Sequence, residues 1–210
     1  MAGILTMVCS GCGASKVEYE DSKAAKKAMN NATNIFMESN IEESNQETDI
    51  KADGMVAGYM EESGIFHTKW TVSIDGETWF YVKFVTDEPI NDVEGVISAT
   101  TYGYYDSNDK CWGYAQQQVL DNGVYGREYY MLYLDADGNP KDYYSDEDGY
   151  YLYDYDGNVI GEGDVESSWF GNDYDITITM KEDSKVQVDF MDKVVMYIRI
   201  CDDLYEKYSD

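Results

Sequence analysis

The sequence predicts an α+β fold: one N-terminal amphipathic helix packed on a curved, mainly antiparallel β-sheet that runs as a meander of hairpins. Three observations predict it. Between Ser22 and Phe36 the apolar residues recur every three or four positions, the period of one helical face. From Ile50 onward the period falls to two, as in strands with one buried side. Asp-Gly and Asn-Asp steps separate these runs and supply the positive φ that tight hairpin turns require. A helix followed by strands on short links is the element order of the α+β class.

The elements follow in chain order. Residues 16–21 read as a polar tether, and Asp21 or Ser22 can cap the first helical turn. Ala24, Ala25, Ala28, Met29, Ala32, Ile35 and Phe36 form the apolar face, opposite Lys23, Lys26, Lys27, Asn30 and Asn34. The helix should stop near Glu38–Asn40, with Glu42–Asp49 a hydrophilic loop. Met55, Ala57 and Tyr59 begin the alternation. Ile65–Ile74 then pairs with Thr78–Val85 across Asp75-Gly76. In that second strand Phe80, Val82 and Phe84 are the expected core face, with Trp79, Tyr81 and Lys83 on the other. Glu88-Pro89 ends it, and extended runs follow at Asp92–Tyr105 and Cys111–Val119, with turns at Asn108-Asp109 and Asp121–Gly123.

The most aromatic stretch is Glu128–Gly163. It carries Asp-x-Asp-Gly-Asn twice, as Asp135–Asn139 and Asp154–Asn158, nineteen residues apart and each after a run rich in Tyr. Two hairpins are expected here, tyrosine-coated along the strands and carboxylate-rich at the tips. Beyond a turn at Gly171-Asn172, Tyr174–Met180 and Lys185–Phe190 predict a last hairpin around Glu182–Ser184. Val194–Ile200 predicts a strand that closes the sheet, and Asp202–Asp210 a short polar tail that can form one helical turn. No Pro-rich linker or shift in composition divides residues 22–210, which therefore read as a single domain.

Composition narrows the partners. A chain of 210 residues holds one good core. It carries 42 acidic against 15 basic residues, a formal net charge of −27, which repels nucleic acid and anionic lipid. Nucleic-acid binding is excluded, whereas cations, neutral glycans and basic protein surfaces suit the charge. Aromatic area comes from 21 Tyr against 6 Phe, so most rings carry a hydroxyl that needs water or a partner.

Residues 1–15 are apolar and uncharged, too short for the roughly 20 residues that span a bilayer. Ser10-Gly11-Cys12-Gly13-Ala14 resembles a bacterial lipobox, although Cys9 stands where that motif has Leu and no basic leader precedes it. The resemblance implies that residues 1–15 are the remnant of a signal and lipid-anchor segment and that Cys12 carries the lipid. It also implies a place outside the cytoplasm, on the membrane of a bacterium. Cys9-Ser10-Gly11-Cys12 spells CxxC as well, but lacks the second ligand pair or helix start of zinc and redox sites. In an exported protein Cys111 and Cys201 are candidates for a disulfide, or else two small buried thiols.

For chemistry the sequence offers three leads. Asp154, Asp156 and Asn158, and likewise Asp135, Asp137 and Asn139, place oxygens at the first, third and fifth positions of a calcium loop. Val159 and Pro140 then stand where that loop has Gly, and bare Asx turns share the pattern. No cofactor is expected, and calcium is the one ion the tips suggest. Second, Gly149–Gly161 is similar to the aromatic repeats of Gram-positive cell-wall-binding proteins, with Tyr151, Tyr153 and Tyr155 as ligand-binding residues. Third, two carboxylates could work as a glycoside hydrolase, since that pair is defined only in space. His67, the single histidine, lies in an expected strand without a nucleophile motif. The helix-then-meander order also resembles carrier-type lipoproteins and the heads of type IV pilin-like proteins. The expectation is a membrane-tethered extracytoplasmic binding or surface component without catalysis, partnered by a cell-wall glycan or a surface protein.

Overall fold

The structure, a computed structural model, describes residues 16–40, 46–63, 69–90, 96–121, 127–167 and 173–208. Helix α1 spans Ser22–Asn31, and the Asp21 side chain caps it by accepting from the Ala24 amide at 2.7 Å. Ala25 and Met29 are buried as the apolar face requires. The helix ends earlier than the stripe suggests, because strand β1 begins at Asn34 and runs to Asn40. Ile35 fits a helical repeat from Met29 and Ala32, yet with Met37 and Ser39 it also fits period two, and the strand prevails.

Eleven further strands follow: β2 (Glu47–Ala52), β3 (Met55–Ser63), β4 (Lys69–Ile74), β5 (Glu77–Thr86), β6 (Val96–Asp106), β7 (Cys111–Asp121), β8 (Arg127–Asp135), β9 (Pro140–Asp146), β10 (Tyr151–Asp154), β11 (Val159–Ser167) and β12 (Asp173–Met180). Each pairs antiparallel with its neighbours in the chain. The last returns to the first: β1 and β12 match from Asn34↔Thr179 to Asn40↔Asp173. The sheet is therefore a closed barrel with no free edge. This corrects the expected α+β arrangement of a curved sheet laid on an N-terminal helix. The expected Glu42–Asp49 loop also gives way in part to β2, which forms a hairpin with β3 across Asp53 and Gly54, at φ +47° and +87°. The hairpin at Asp75 and Gly76 stands as expected, with φ +51° and +82°.

The second correction lies at the C terminus. Lys185–Asp189 is irregular where a strand was expected, and Phe190–Tyr208 is one helix, α2, in place of the strand expected at Val194–Ile200 and the polar tail from Asp202. Its sequence Val194-Val195-Met196-Tyr197-Ile198 is β-branched and aromatic, which local propensity assigns to strand. Burial overrides propensity. Phe190, Val194, Val195, Met196, Ile198 and Ile200 are all within 1% of fully buried, and they point in every direction around the axis. The helix runs through the barrel interior and touches the wall on all sides. Phe190 stacks on Trp79 of β5 at 5.6 Å, and the Tyr197 hydroxyl donates to the Glu38 carbonyl of β1 at 2.8 Å. A Cβ on Gly163 of β11 would stand 2.5 Å from Ile200. Returning those six side chains to water would cost about 1.5–3 kcal/mol each, comparable to the whole net stability of a domain. The core helix is therefore integral. On β5, Phe80 and Val82 face inward as expected, while Phe84 is 39% exposed near the strand end.

Candidate functional site

Strands β8, β9 and β10 lie side by side, and alternation sorts most of their residues, although Leu132 and Leu134 of β8 are buried as well. Met131, Tyr133, Tyr143, Ser145 and Leu152 turn inward and are buried. Tyr130, Tyr144 and Tyr153 turn outward; Tyr144 pairs directly with Tyr153, while Tyr130 lies opposite Asp146 and so diagonal to Tyr144. Tyr144 is the hub of the outer set. It packs against Tyr153 at 5.4 Å, Tyr155 at 5.9 Å and Tyr130 at 6.3 Å, and Tyr151 lies 6.3 Å from Tyr153. The three tyrosines singled out in the sequence thus belong to one continuous band. Tyr151 and Tyr155 end it and remain 45% and 59% exposed.

The band's electrostatic setting is acidic. Glu128 acts on Tyr130, Asp142 on Tyr155 and Asp146 on Tyr153. Partial burial first, and these carboxylates after it, raise all three phenols above their ordinary value, so they stay protonated donors at neutral pH. The Tyr130 hydroxyl already donates to Gln118 at 2.9 Å. Burial also raises the Asp146 carboxyl, which accepts from the Tyr151 amide at 3.1 Å. Strand-borne rings held by neighbouring rings form a rigid surface, better suited to stacking a ligand than a mobile loop.

The two Asp tips are alike. Asp135 Oδ1 accepts from the amides of Asp137 and Asn139 at 2.9 and 2.8 Å, and Asp154 Oδ1 from those of Asp156 and Asn158 at 3.0 and 2.8 Å. Gly138 and Gly157 supply the left-handed residue of each turn, at φ +84° and +82°. The Asn139 and Asn158 side chains donate to the same carboxylates, and these bonds hold Asp135 and Asp154 below the usual carboxylate range. Their oxygens are thus engaged in closing the turns. Among the described residues no three or more His, Cys, Asp or Glu side chains gather around a common point.

One polar cluster was not anticipated. Inside the barrel the Lys141 ammonium of β9 reaches Asp192 at 2.6 Å and Asp189 at 2.7 Å, and the Tyr143 hydroxyl donates to Asp192. Asp192 is fully buried and Asp189 half exposed. Burial raises the Asp192 carboxyl, and Lys141 opposes that shift. The signal available was Asp192-Lys193 embedded among apolar residues, and it reads equally well as a turn. Asp189 and Asp192 thus share one partner, Lys141. A lysine lies between them and one is sealed from solvent, so the arrangement anchors the start of α2 rather than presenting an acid and a base to a substrate.

The two cysteines are not brought together. Cys111 Sγ donates to the Gly113 carbonyl at the start of β7, and Cys201 Sγ to Ser39 at 3.4 Å inside the barrel; both thiols are free. Burial pushes the Cys201 thiol up to about 12, which makes it unreactive. Cys12 and His67 lie outside the described residues. Among the described residues no helix is long and apolar enough to cross a membrane. No protein-family model, curated protein or solved structure matches the chain.

Proposed function

We propose that this protein is a non-catalytic binding component held outside a bacterial cytoplasm by a lipid on Cys12, and that its ligand is a cell-wall glycan lying across the outer tyrosine band. The observation that carries the reading is the continuity of Tyr151, Tyr153, Tyr144 and Tyr155, with exposed rings at both ends. A pyranose offers an apolar face of C–H groups to such rings, and its hydroxyls meet phenol donors and carboxylate acceptors around them. The net charge of −27 favours neutral or cationic sugars over acidic ones.

A glycan array probed with the whole chain and with Tyr151→Ala/Tyr155→Ala tests it. Binding to cell-wall glycans that disappears in the double variant, at unchanged circular dichroism, supports the reading. An empty array, or equal binding by both proteins, ends it. Incorporation of labelled fatty acid in a bacterial host, lost in Cys12→Ala, tests the tether separately.

A further inference from the structure

Resting on the glycan reading of the tyrosine band, we infer that its ligand carries a protonated amine: a glycan bearing free glucosamine units rather than fully N-acetylated ones. The ground is a contrast within the molecule. Elsewhere among the described residues six aromatic rings have a lysine of their own. Lys69 lies 4.3 Å from the Tyr81 ring, Lys83 4.4 Å from Tyr105, Lys51 4.7 Å from Phe36 and Lys26 5.5 Å from Trp79. Even Tyr104 in the core and Tyr150 beside α2 have a lysine within 6 Å. The outer band joins five tyrosine rings, and among the described residues no lysine or arginine covers any of them.

It has carboxylates instead. Asp142 is exposed beside Tyr155, Asp146 is half-buried beside Tyr153, and Glu128 is exposed beside Tyr130. Electron-rich ring faces flanked by carboxylates are the surroundings that an organic ammonium needs. Asp146 adds to this, because a partly desolvated carboxylate gains more from an arriving cation than one in open water. An acetylated sugar would stack on the same rings but would leave these charges unanswered.

The test compares a glucosamine trimer with an N-acetylglucosamine trimer of the same length by calorimetry on the whole chain. The free-amine trimer should bind on the order of tenfold more tightly. A protein of this charge attracts any polycation, so the site is read from variants. Asp142→Asn/Asp146→Asn removes two negative charges at the band and keeps an acceptor oxygen for the Tyr151 amide. It should weaken the free-amine trimer far more than the acetylated one, so that the amine preference is lost. Asp142→Asn/Glu128→Gln, at two exposed positions, serves the same purpose where Asp146→Asn disturbs the turn. Equal or tighter binding of the acetylated trimer overturns the inference and leaves the glycan reading standing. An amine preference that survives both variants also overturns it, assigning the effect to overall charge. Trilysine binding as tightly as the amine trimer rejects the glycan as occupant, and binding of neither sugar ends both readings.

Discussion

Asn30 and Lys193 hold each other's helices. The Asn30 side chain accepts from the Phe190 amide at the start of α2 (3.4 Å), while the Lys193 ammonium donates to the Asn30 and Ala32 carbonyls at the end of α1 (3.4 and 3.1 Å). Each helix leaves unpaired groups at its end, and here each terminus is satisfied by a side chain from the other. The exchange seats the short N-terminal helix against the mouth of the barrel where the core helix enters.

Lys193 also sets a pH dependence. Burial lowers its pKa from 10.5 to about 8, against the opposing pull of Asp53 and Asp189. The folded protein thus releases this proton at lower pH than the unfolded chain does. Between those values the unfolded state binds more protons, so this group's contribution to stability rises with pH. Lys193→Met lacks the titration. The difference in urea-unfolding free energy, wild type minus variant, should increase from about pH 7 to about pH 10. A flat difference would show that the ammonium is not desolvated.

Lys141 is expected to matter more than any surface cation. Lys141→Met leaves the fully buried Asp192 without its counter-ion, a change that costs about 3–5 kcal/mol in comparable sites. Asp189→Asn, at a half-exposed position, should cost less than about 1 kcal/mol. Lys141→Met/Asp192→Leu should recover much of the first loss, because the stranded charge is then gone. Urea denaturation of the four proteins measures all three.

Two glycines with the same backbone conformation should respond differently to one methyl group. Gly149 (φ +80°) packs against α2, and a Cβ there would stand 2.7 Å from the Met196 carbonyl oxygen. Gly157 (φ +82°) has open space around it. Both alanine variants bear the left-handed backbone cost of about 1 kcal/mol, and only Gly149→Ala adds an overpacking cost of about 1–3 kcal/mol. Thermal unfolding should rank Gly149→Ala well below Gly157→Ala.

The thiols give a simpler test. Cys111 and Cys201 should both alkylate in denaturant without reductant, and a reducing agent should leave the melting temperature unchanged. A peptide linking Cys111 to Cys201 in a non-reducing digest would reject the separation of the two sites.

What was legible in the sequence was local. The turns at Asp75-Gly76, Asp135–Asn139 and Asp154–Asn158 announce themselves because positive φ and Asx capping are properties of a few adjacent residues. The tyrosine hairpins were legible for the same reason, and with them the candidate band. What was not legible depends on the whole. Barrel closure rests on Asn34–Asn40 meeting Asp173–Met180, a pairing that neither segment encodes alone. Val194–Ile200 looks like a strand because its residues suit a pleated surface, and only the enclosing wall makes a helix there favourable. The Lys141–Asp192 contact was hidden because one partner sits in a tyrosine hairpin and the other in what reads as a turn.

The placement of α2 has a consequence for how the molecule is made. The segment that supplies the middle of the core follows all twelve strands in sequence, so the wall is synthesised before the helix that fills it. Contacts such as Tyr197 with Glu38 join residues 159 positions apart, which makes acquisition of the native state slow and late. Until that helix arrives, the twelve strands have no packed interior to close around.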